Sequence, residues 1–563
     1  MKKNKIDIFS IYEKFIYNIV QSKIKKIMVL VITFLLFLGS ITMIPTELVL
    51  AKMLPGKNSN YFSVYVTLPE GSSKNDTLET SKCINKILLT EREIQDIEIF
   101  LGQGAPLDFA GLIKQSIFKN TQNLAEIVVN LSDKHNREEP SYLMVQRLRP
   151  ELQNKCGTQG TNISMVEQPA GPPVLASIVA EIYGEKTEEL KTISKKVGEI
   201  FRGIEGLVDV EELIDNEYLT YDIKINNIKA SQSGISIEQI NQILYLNFEG
   251  MSIGYVNSEK YNQQVPIFVR LSENTRYFEN SSLEDIINKL TSVKLVNKKG
   301  QKVSLIALVD IKKSKSTPRI YSKNLNQVVK VLAETDMVSQ VYPLIEAKKK
   351  IIETFNKEKY KVETMGLFDL NIVNKQTNEI YELKWDGEMK VTIDTFIELG
   401  GAFISALVLI FLLMVVYYKN FVFSGIVLLS SFLSIIGVIF GHFVMDLFTS
   451  DTFFLTATSL IGFIALIGIS SRNSLLLIDF TKQLSKEHSC EKQAIAIAAA
   501  TRAKPIFLTA GAIILASTLL AGDAVFGGLG VSLIFGTIFA VLASLFVVPV
   551  LLANSNLKKH FNS

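Results

Sequence analysis

Apolar positions gather at the two ends of the chain, and the long stretch between them alternates. Residues 27–44 (IMVLVITFLLFLGSITMI) carry no charge and follow Lys23, Lys25 and Lys26. As a helix, such a run crosses a hydrocarbon core of about 30 Å. A cleaved signal peptide competes with that reading. The charged segment ahead of the run is long, however, and Pro45-Thr46-Glu47-Leu48 is a poor small-residue cleavage site, so the pattern predicts a membrane anchor. From Phe396 the chain turns apolar again and predicts five more spans, at about 396–418, 421–445, 453–478, 506–522 and 526–552. Polar breaks separate them: Tyr417 to Asn420, Asp446 to Thr452, the stretch 480–505, and Gly522-Asp523. Six spans put both ends of the chain on one side of the membrane.

Residues 46–395 are too patterned to be a linker. Tyr61 to Pro69 (YFSVYVTLP) alternates as a strand. A helix over about Asn75–Thr90 and a strand at Ile97–Leu101 follow. The order recurs as a strand at Glu126–Leu131, a helix near Tyr142–Leu152 and a strand at Asn162–Glu167. It recurs at Ile178–Tyr183, a helix at about 187–203 and a strand near Val208–Leu213. A fourth copy covers Gln327–Ala333, a helix around 340–356 and Tyr360–Met365. Each unit is βαβ-like. Between copies three and four, residues 221–315 form an insert with Gly, Asn and Ser at turn positions and short strands such as Val265–Leu271. The expected fold class is a polytopic α-helical membrane protein with six transmembrane helices and a large α+β domain of repeated βαβ modules.

Charge orients this arrangement. The chain of 563 residues has 59 Lys+Arg against 56 Asp+Glu, a net charge of +3, which gives no case for nucleic-acid binding. Basic residues lie in the N-terminal segment, in 480–505 (Lys482, Lys486, Lys492, Arg502, Lys504) and in the tail (Lys558, Lys559), while 446–452 and 522–525 have none. The positive-inside rule then predicts cytoplasmic termini and an outer domain. Three Cys and four His, far apart, exclude a Cys-rich scaffold and a zinc finger. Cys83 and Cys156 would face an oxidising compartment, where a bridge is allowed, but their places in successive modules argue against one. Cys490 would be cytoplasmic. No Ser/His/Asp cluster, HExxH or Walker loop points to an enzyme.

Within the spans the ionisable residues are few. Arg472 interrupts Ile461–Phe480, with Asn473 beside it and Asp479 seven residues on, on the same helix face. An intramembrane guanidinium is costly unless it faces the bundle interior and pairs. Helix glue is the bland role for Arg472, and marking the helix end the bland role for Asp479. In Thr501–Thr509, Pro505 fits a first helical turn, Arg502 and Lys504 fit its cytoplasmic mouth, and Thr509 shares Arg502's face. No span carries a mid-membrane carboxylate. Guanidinium cannot release a proton, so the chain offers a counter-ion without a proton carrier.

These features together resemble the resistance-nodulation-division (RND) efflux permeases, in particular the carboxy-terminal half of an AcrB-like inner-membrane pump. The Gly468–Phe480 run is similar to the family's tenth-helix motif, Thr501–Thr509 to the start of its eleventh helix, and Ile534–Val550, ending Phe546-Val547-Val548-Pro549-Val550, to its last. Leu68-Pro69-Glu70-Gly71 and Gly171-Pro172-Pro173 sit where porter-domain strands and turns occur. The resemblance implies a cytoplasmic segment 1–26, helix 27–44, a first porter-like module pair at 46–170, and a second, split module at 171–220 and 316–395. It also implies a docking-like insert at 221–315, five helices in 396–552 and a cytoplasmic tail at 553–563, with the large domain periplasmic.

In that family a fourth-helix aspartate pair binds protons and a tenth-helix Lys answers its charge. An eleventh-helix Thr and a basic residue at the helix mouth complete the relay. Motif by motif, the resemblance gives Arg472 the Lys position, Asn473 its neighbour, Arg502 the mouth and Thr509 the relay hydroxyl, with Asp479 and Lys504 flanking. Arg for Lys keeps the charge but spreads it over a fork that holds a carboxylate bidentately. Helices one to six and the aspartate pair are not among these residues. The expectation is therefore a half-length subunit with a partner chain, driven by proton antiport without a cofactor. A trimeric assembly, a periplasmic adaptor and an outer-membrane channel are further implied. Amphipathic cargo fits an apolar cleft between modules. Met53, Met144, Met165, Met251, Met337 and Met365 are scattered, and His135 lacks an obvious partner, which disfavours metal cargo. The rival reading is a non-transporting protein, whether remnant, sensor or assembly factor, whose outer domain binds a partner. Uninterrupted spans and preserved alternation favour the subunit.

Overall fold

Alternating apolar residues in Tyr61–Thr67 put Phe62, Val64 and Val66 on one buried face, and the first module is built on that strand. The computed structural model describes residues 8–555 except 55, 57, 107–110, 113, 115, 117–119, 168–170, 172–173, 258, 262–263, 273–281, 337, 450–451 and 488–489. Lys558, Lys559, Pro172, Pro173, Asp451 and Met337 thus lie outside the described residues.

Two helices open the chain, α1 (Ile8–Gln21) and α2 (Lys23–Thr42). The first lies within the charged N-terminal segment, where the apolar pattern predicted no element. It turns Ile16, Ile19 and Val20 into a core shared with the last helices, and the Tyr12 hydroxyl donates to the Leu545 carbonyl at 2.7 Å.

The first module runs β1 (Tyr61–Thr67), α3 (Lys74–Leu88), β2 (Ile94–Leu101), β3 (Leu124–Leu131), α4 (Ser141–Cys156), β4 (Asn162–Glu167). Ser73 and Asp76 form a capping box that starts α3. The sheet order is β2-β3-β1-β4, all antiparallel, with Tyr61 opposite Asn130 and Thr67 opposite Asn162. The two βαβ units therefore interleave as one βαββαβ sheet with both helices on one face. That arrangement brings α3 and α4 together, and Cys83 and Cys156 are joined by a disulfide with Cα atoms 5.6 Å apart. The expectation that they stay unpaired is corrected: successive units in sequence are neighbours in space.

The second module starts with β5 (Ile178–Tyr183), α5 (Thr187–Arg202) and β6 (Leu207–Leu213). It resumes with β7 (Asn326–Thr335), α6 (Val341–Asn356), β8 (Tyr360–Met365), β9 (Asp369–Asn374) and β10 (Ile380–Asp386). β7 lies between β6 and β5, and β10 takes the place beside β5, with β9 and β8 beyond it. The sequence reading ended this copy at Met365 and missed the β9–β10 pair. Ile182, Val331, Ile351, Phe355 and Tyr360 are fully buried between sheet and helices.

Residues Asp215–Arg319 form a separate compact unit. Strands Leu219–Ile225 and Val309–Lys315 pair antiparallel at its base, and Ala230, Ile240, Ile286 and Leu305 build a small core. Its hairpin, Met251–Val256 with Val265–Val269, leaves Ile253, Tyr255 and Phe268 exposed.

The membrane part comprises α7 (Glu388–Tyr418), α8 (Phe421–Phe432), α9 (Ser434–Phe448), α10 (Ala457–Glu487), α11 (Glu491–Ala521), α12 (Gly527–Leu542), a π turn at 543–547 and α13 (Val548–Asn554). Among the described residues, six helical stretches are long and apolar enough to cross a membrane: Lys23–Thr42, Glu388–Tyr418, Phe421–Phe448, Ala457–Glu487, Glu491–Ala521 and Gly527–Asn554. The stretch 480–505, expected as a loop, is helix at both ends. A 31-residue helix is about 46 Å long and overshoots the hydrocarbon, so its polar ends stay helical outside it. Pro505 likewise lies inside α11, not in its first turn. The run AIAIAAA at 494–500 is among the best helix formers and carries the helix into the proline. Small residues let the bundle close: a Cβ on Gly437 would meet the Phe535 carbonyl at 2.4 Å, and one on Gly536 a Leu466 methyl at 2.1 Å.

Candidate functional site

One side of α10 is sealed by serines. Ser470 donates to the Ser430 carbonyl at 3.3 Å, and Ser474 to the Ser430 hydroxyl at 2.8 Å, with Ser544 at 3.4 Å. These short polar links hold α10 against α8 and the π turn. The opposite side is open: Ile461, Ala465, Gly468, Arg472 and Leu476 form an exposed stripe at helical spacing, and a Cβ on Gly468 would meet no other element within 4 Å among the described residues. Arg472 makes no hydrogen bond or ion pair among the described residues. It therefore does not face this chain's interior, as an internally paired guanidinium would.

The other expected site residues are held separately. Asn473, one residue on, is buried on the sealed side. Asp479 accepts from the Tyr417 hydroxyl at 3.2 Å and not from Arg472. Arg502 lays its guanidinium over the Phe480 ring, 4.6 Å from the centroid, and its buried Nε has no hydrogen-bond partner among the described residues. Thr509 is exposed and donates to its own helix at Pro505 and Ile506, the backbone bond typical of helical threonine. Lys504 is exposed. Among the described residues, none of Arg472, Asn473, Arg502, Thr509, Asp479 and Lys504 bonds another. What they share is helices α10 and α11, which pack together and present cations and a hydroxyl on open faces.

Two features escaped the sequence reading. His442 is fully buried inside the third membrane-crossing stretch. Its Nδ1 lies 2.8 Å from the Val438 carbonyl and its Nε2 2.8 Å from the Ser459 hydroxyl. A neutral ring protonated on Nδ1 satisfies both contacts. In the sequence its signal is a lone imidazole in an apolar span, without the fixed charge that marks Arg472.

The second is a charged junction where the modules meet the membrane helices. The connector after α2 pairs with the strand-like entry to α10, through Leu455 to Leu50 at 2.8 Å, Lys52 to Leu455 at 3.1 Å and Ala457 to Met53 at 3.0 Å. The Ser339 hydroxyl donates to the Ala51 carbonyl. Gly387, at φ +84°, turns β10 directly into α7, where a Cβ would strike the Ala176 carbonyl. Around these links lie Arg149, paired with Asp209 (3.1 Å) and Asp336 (2.9 Å), and Lys114, paired with Glu334 (2.9 Å). Burial pushes the Glu167 carboxyl up to about 7 and that of Asp209 up to about 6. Burial pulls Lys52 down, against the charges of Glu388, Glu167 and Glu334. Buried Gln340 lies against the Glu388 carboxyl. Among the described residues, no three His, Cys, Asp or Glu side chains converge as metal ligands.

Sheet-rich modules threaded directly onto helices long and apolar enough to cross a membrane, one of them with Arg472 on its open face, define the architecture. The chain belongs to the AcrB/AcrD/AcrF family, whose sequence profile matches residues 6–554. It is 24% identical over 530 residues to the swarming motility protein SwrC of Bacillus subtilis, covering 92% of this chain and 45% of that protein. It is 21% identical over 527 residues to the cobalt-zinc-cadmium resistance protein CzcA of Cupriavidus metallidurans, covering 89% and 44%. In fold it is similar to the crystal structure of a heavy metal efflux pump, with a TM-score of 0.70 at 17% identity, over 96% of this chain and 51% of that one. The chain thus spans about half the length of the curated relatives it matches.

Proposed function

We propose that this chain is a half-length inner-membrane permease subunit of a proton-driven RND efflux pump exporting amphipathic small molecules, with a partner half supplying the proton-binding carboxylates. Arg472 carries the reading. An unpaired guanidinium on a membrane helix is costly in lipid, and Ala465 and Gly468 on the same stripe allow another helix to approach closely. An acidic helix packed there would give Arg472 its counter-charge, and protonation of that acid would weaken the pair. Helix α10 is stitched at its start to the connector and, through Ala51 and Ser339, to the second module, so a shift at Arg472 has a mechanical route to the modules. Thr509 and Arg502 lie on the adjoining helix as relay and mouth, with Asn473, Asp479 and Lys504 as neighbours.

The Cys83–Cys156 bridge supports a periplasmic domain and cytoplasmic termini, because disulfides persist in oxidising compartments. The exposed apolar hairpin of the 215–319 unit supports assembly with other chains, and a trimer with a periplasmic adaptor and an outer-membrane channel is the arrangement proposed. Tagged chain pulled down from gently solubilised native membranes is expected to bring a second six-helix chain with an intramembrane acidic pair. Recovery of this chain alone, with export unchanged on deletion, would favour a non-transporting remnant, sensor or assembly factor.

Similarity to the cobalt-zinc-cadmium resistance protein CzcA favours a second cargo, metal cations. Against it stands the lack of a converging ligand set among the described residues. A deletion strain is expected to become sensitive to amphipathic dyes and detergents. Sensitivity to cobalt, zinc and cadmium alone would overturn the organic cargo.

A further inference from the structure

The membrane part contains a groove of about 420 Å³ that none of the proposed coupling residues touches. One wall is a single stripe of α2, from Lys25 through Met28, Ile32 and Leu36. The other is Leu433 at the α8/α9 break together with Phe539, Leu542 and Phe546 of α12 and the π turn. The break and the π turn both depart from straight helix, which leaves space that α2 does not fill. The floor is apolar: the Thr33 hydroxyl is bonded to the Val29 carbonyl at 2.8 Å, so no free polar group points into it. No residue of α10 or α11 lines the groove, so a helix packed on Arg472 would leave it open.

Three observations identify the occupant. From Lys25 to Leu36 is eleven residues, about 16 Å of helix and about half of a 30 Å hydrocarbon core, the depth of one leaflet. The mouth is polar and basic: Lys25 Nζ bonds Asn18 Oδ1 at 2.7 Å and uses only one of its three N–H donors among the described residues, and both residues line the groove. Lys26, bonded to Asn554 at 2.6 Å, is close enough to Lys23 and Lys492 to be repelled by both. This like-charge cluster sits at the N-terminus of α2, where backbone N–H groups add positive potential.

We propose that this groove is a binding site for one anionic phospholipid, its acyl chain lying between α2 and the π turn and its phosphate headgroup held by Lys25 with Lys23 and Lys26. The lipid completes the packing of α2 and fixes the angle at which α1 enters the bundle.

Native mass spectrometry of the full solubilised chain, titrated with palmitoyl-oleoyl-phosphatidylglycerol or the matching phosphatidylcholine, tests the site. The expected result is one retained phosphatidylglycerol at a concentration at least fivefold below that needed for phosphatidylcholine. Lys25→Gln should remove most of this preference and Lys25→Arg should keep it. Thr33→Trp, which fills the groove, should lower retention of both lipids at least fivefold. Val416→Trp, on an exposed face of α7 outside the groove, should change nothing. Equal retention of the two lipids, or the same retention in Lys25→Gln and Thr33→Trp as in the parent, would overturn the proposal. A second copy of the chain in place of the lipid adduct would overturn it too. None of these readouts depends on export, so the site stands or falls apart from the proposed pump.

Discussion

Arg472 was legible in the sequence as a charge in an apolar run, and chemistry alone says that it cannot carry the proton. Whether it points into this chain or out of it was not legible. A helix shows its neighbours only after folding, and here the serines claim the inner face. Arg472→Ala is expected to abolish export while membrane insertion and yield stay normal, as measured by dye efflux and membrane fractionation. Arg472→Lys should retain part of the activity, since it keeps the charge but loses the bidentate fork. His442 makes the opposite point. It was visible from the start, yet only its contacts reveal a satisfied neutral ring that locks α9 to the entry of α10. His442→Phe keeps an aromatic ring but takes the acceptor from Ser459, a loss of about 1–3 kcal/mol. The expected readout is a lower thermal midpoint of the solubilised chain.

At the scale of elements, period-two and period-3.6 patterns placed most strands and helices of both modules, because burial on one face imposes those spacings. Pairing between elements was not legible. Counting four βαβ copies in line hid their interleaving, and with it the contact of α3 with α4 and the disulfide. Before reduction, thiol titration of the denatured chain is expected to find one free cysteine, Cys490, and after reduction three. The bridge spans 73 residues, and its loss in Cys83→Ser should cost about 4 kcal/mol by loop-closure entropy. Faster limited proteolysis of the first module would report that loss. The helix ends were misjudged for a related reason. Polar residues at 480–505 mark where hydrocarbon stops, whereas α10 runs on to Glu487 and α11 already starts at Glu491, where the alanine-rich run at 494–500 favours helix.

For the whole molecule, the junction beneath the modules is the joint across which membrane and outer domain can influence each other. Glu167, at the end of β4, has its carboxyl raised by burial from 4.5 to about 7. The folded junction thus binds that proton more tightly than the unfolded chain does. Its stabilising contribution is complete below pH 4.5 and is lost as pH rises through about 7; Asp209, raised to about 6, acts in the same direction. Protection of the connector against proteolysis should therefore fall between pH 5 and pH 8, values on the order of those two midpoints. Glu167→Gln should flatten the profile. An unchanged slope in that variant would exclude Glu167 as the titrating group.

The sequence by itself determined which segments are apolar enough to cross a membrane, which alternate as strands, and where charge interrupts hydrocarbon. Each of these is a local property of composition and period. Only the tertiary structure decided that four units make two sheets, that Cys83 meets Cys156, that Arg472 lies on an open face, and that buried Lys52 lies among the half-buried carboxylates Glu167 and Glu334. These are facts about residues distant in sequence, and they follow from how faces of equal hydrophobicity choose partners. That choice is settled by shape, small-residue packing and the pairing of buried polar groups.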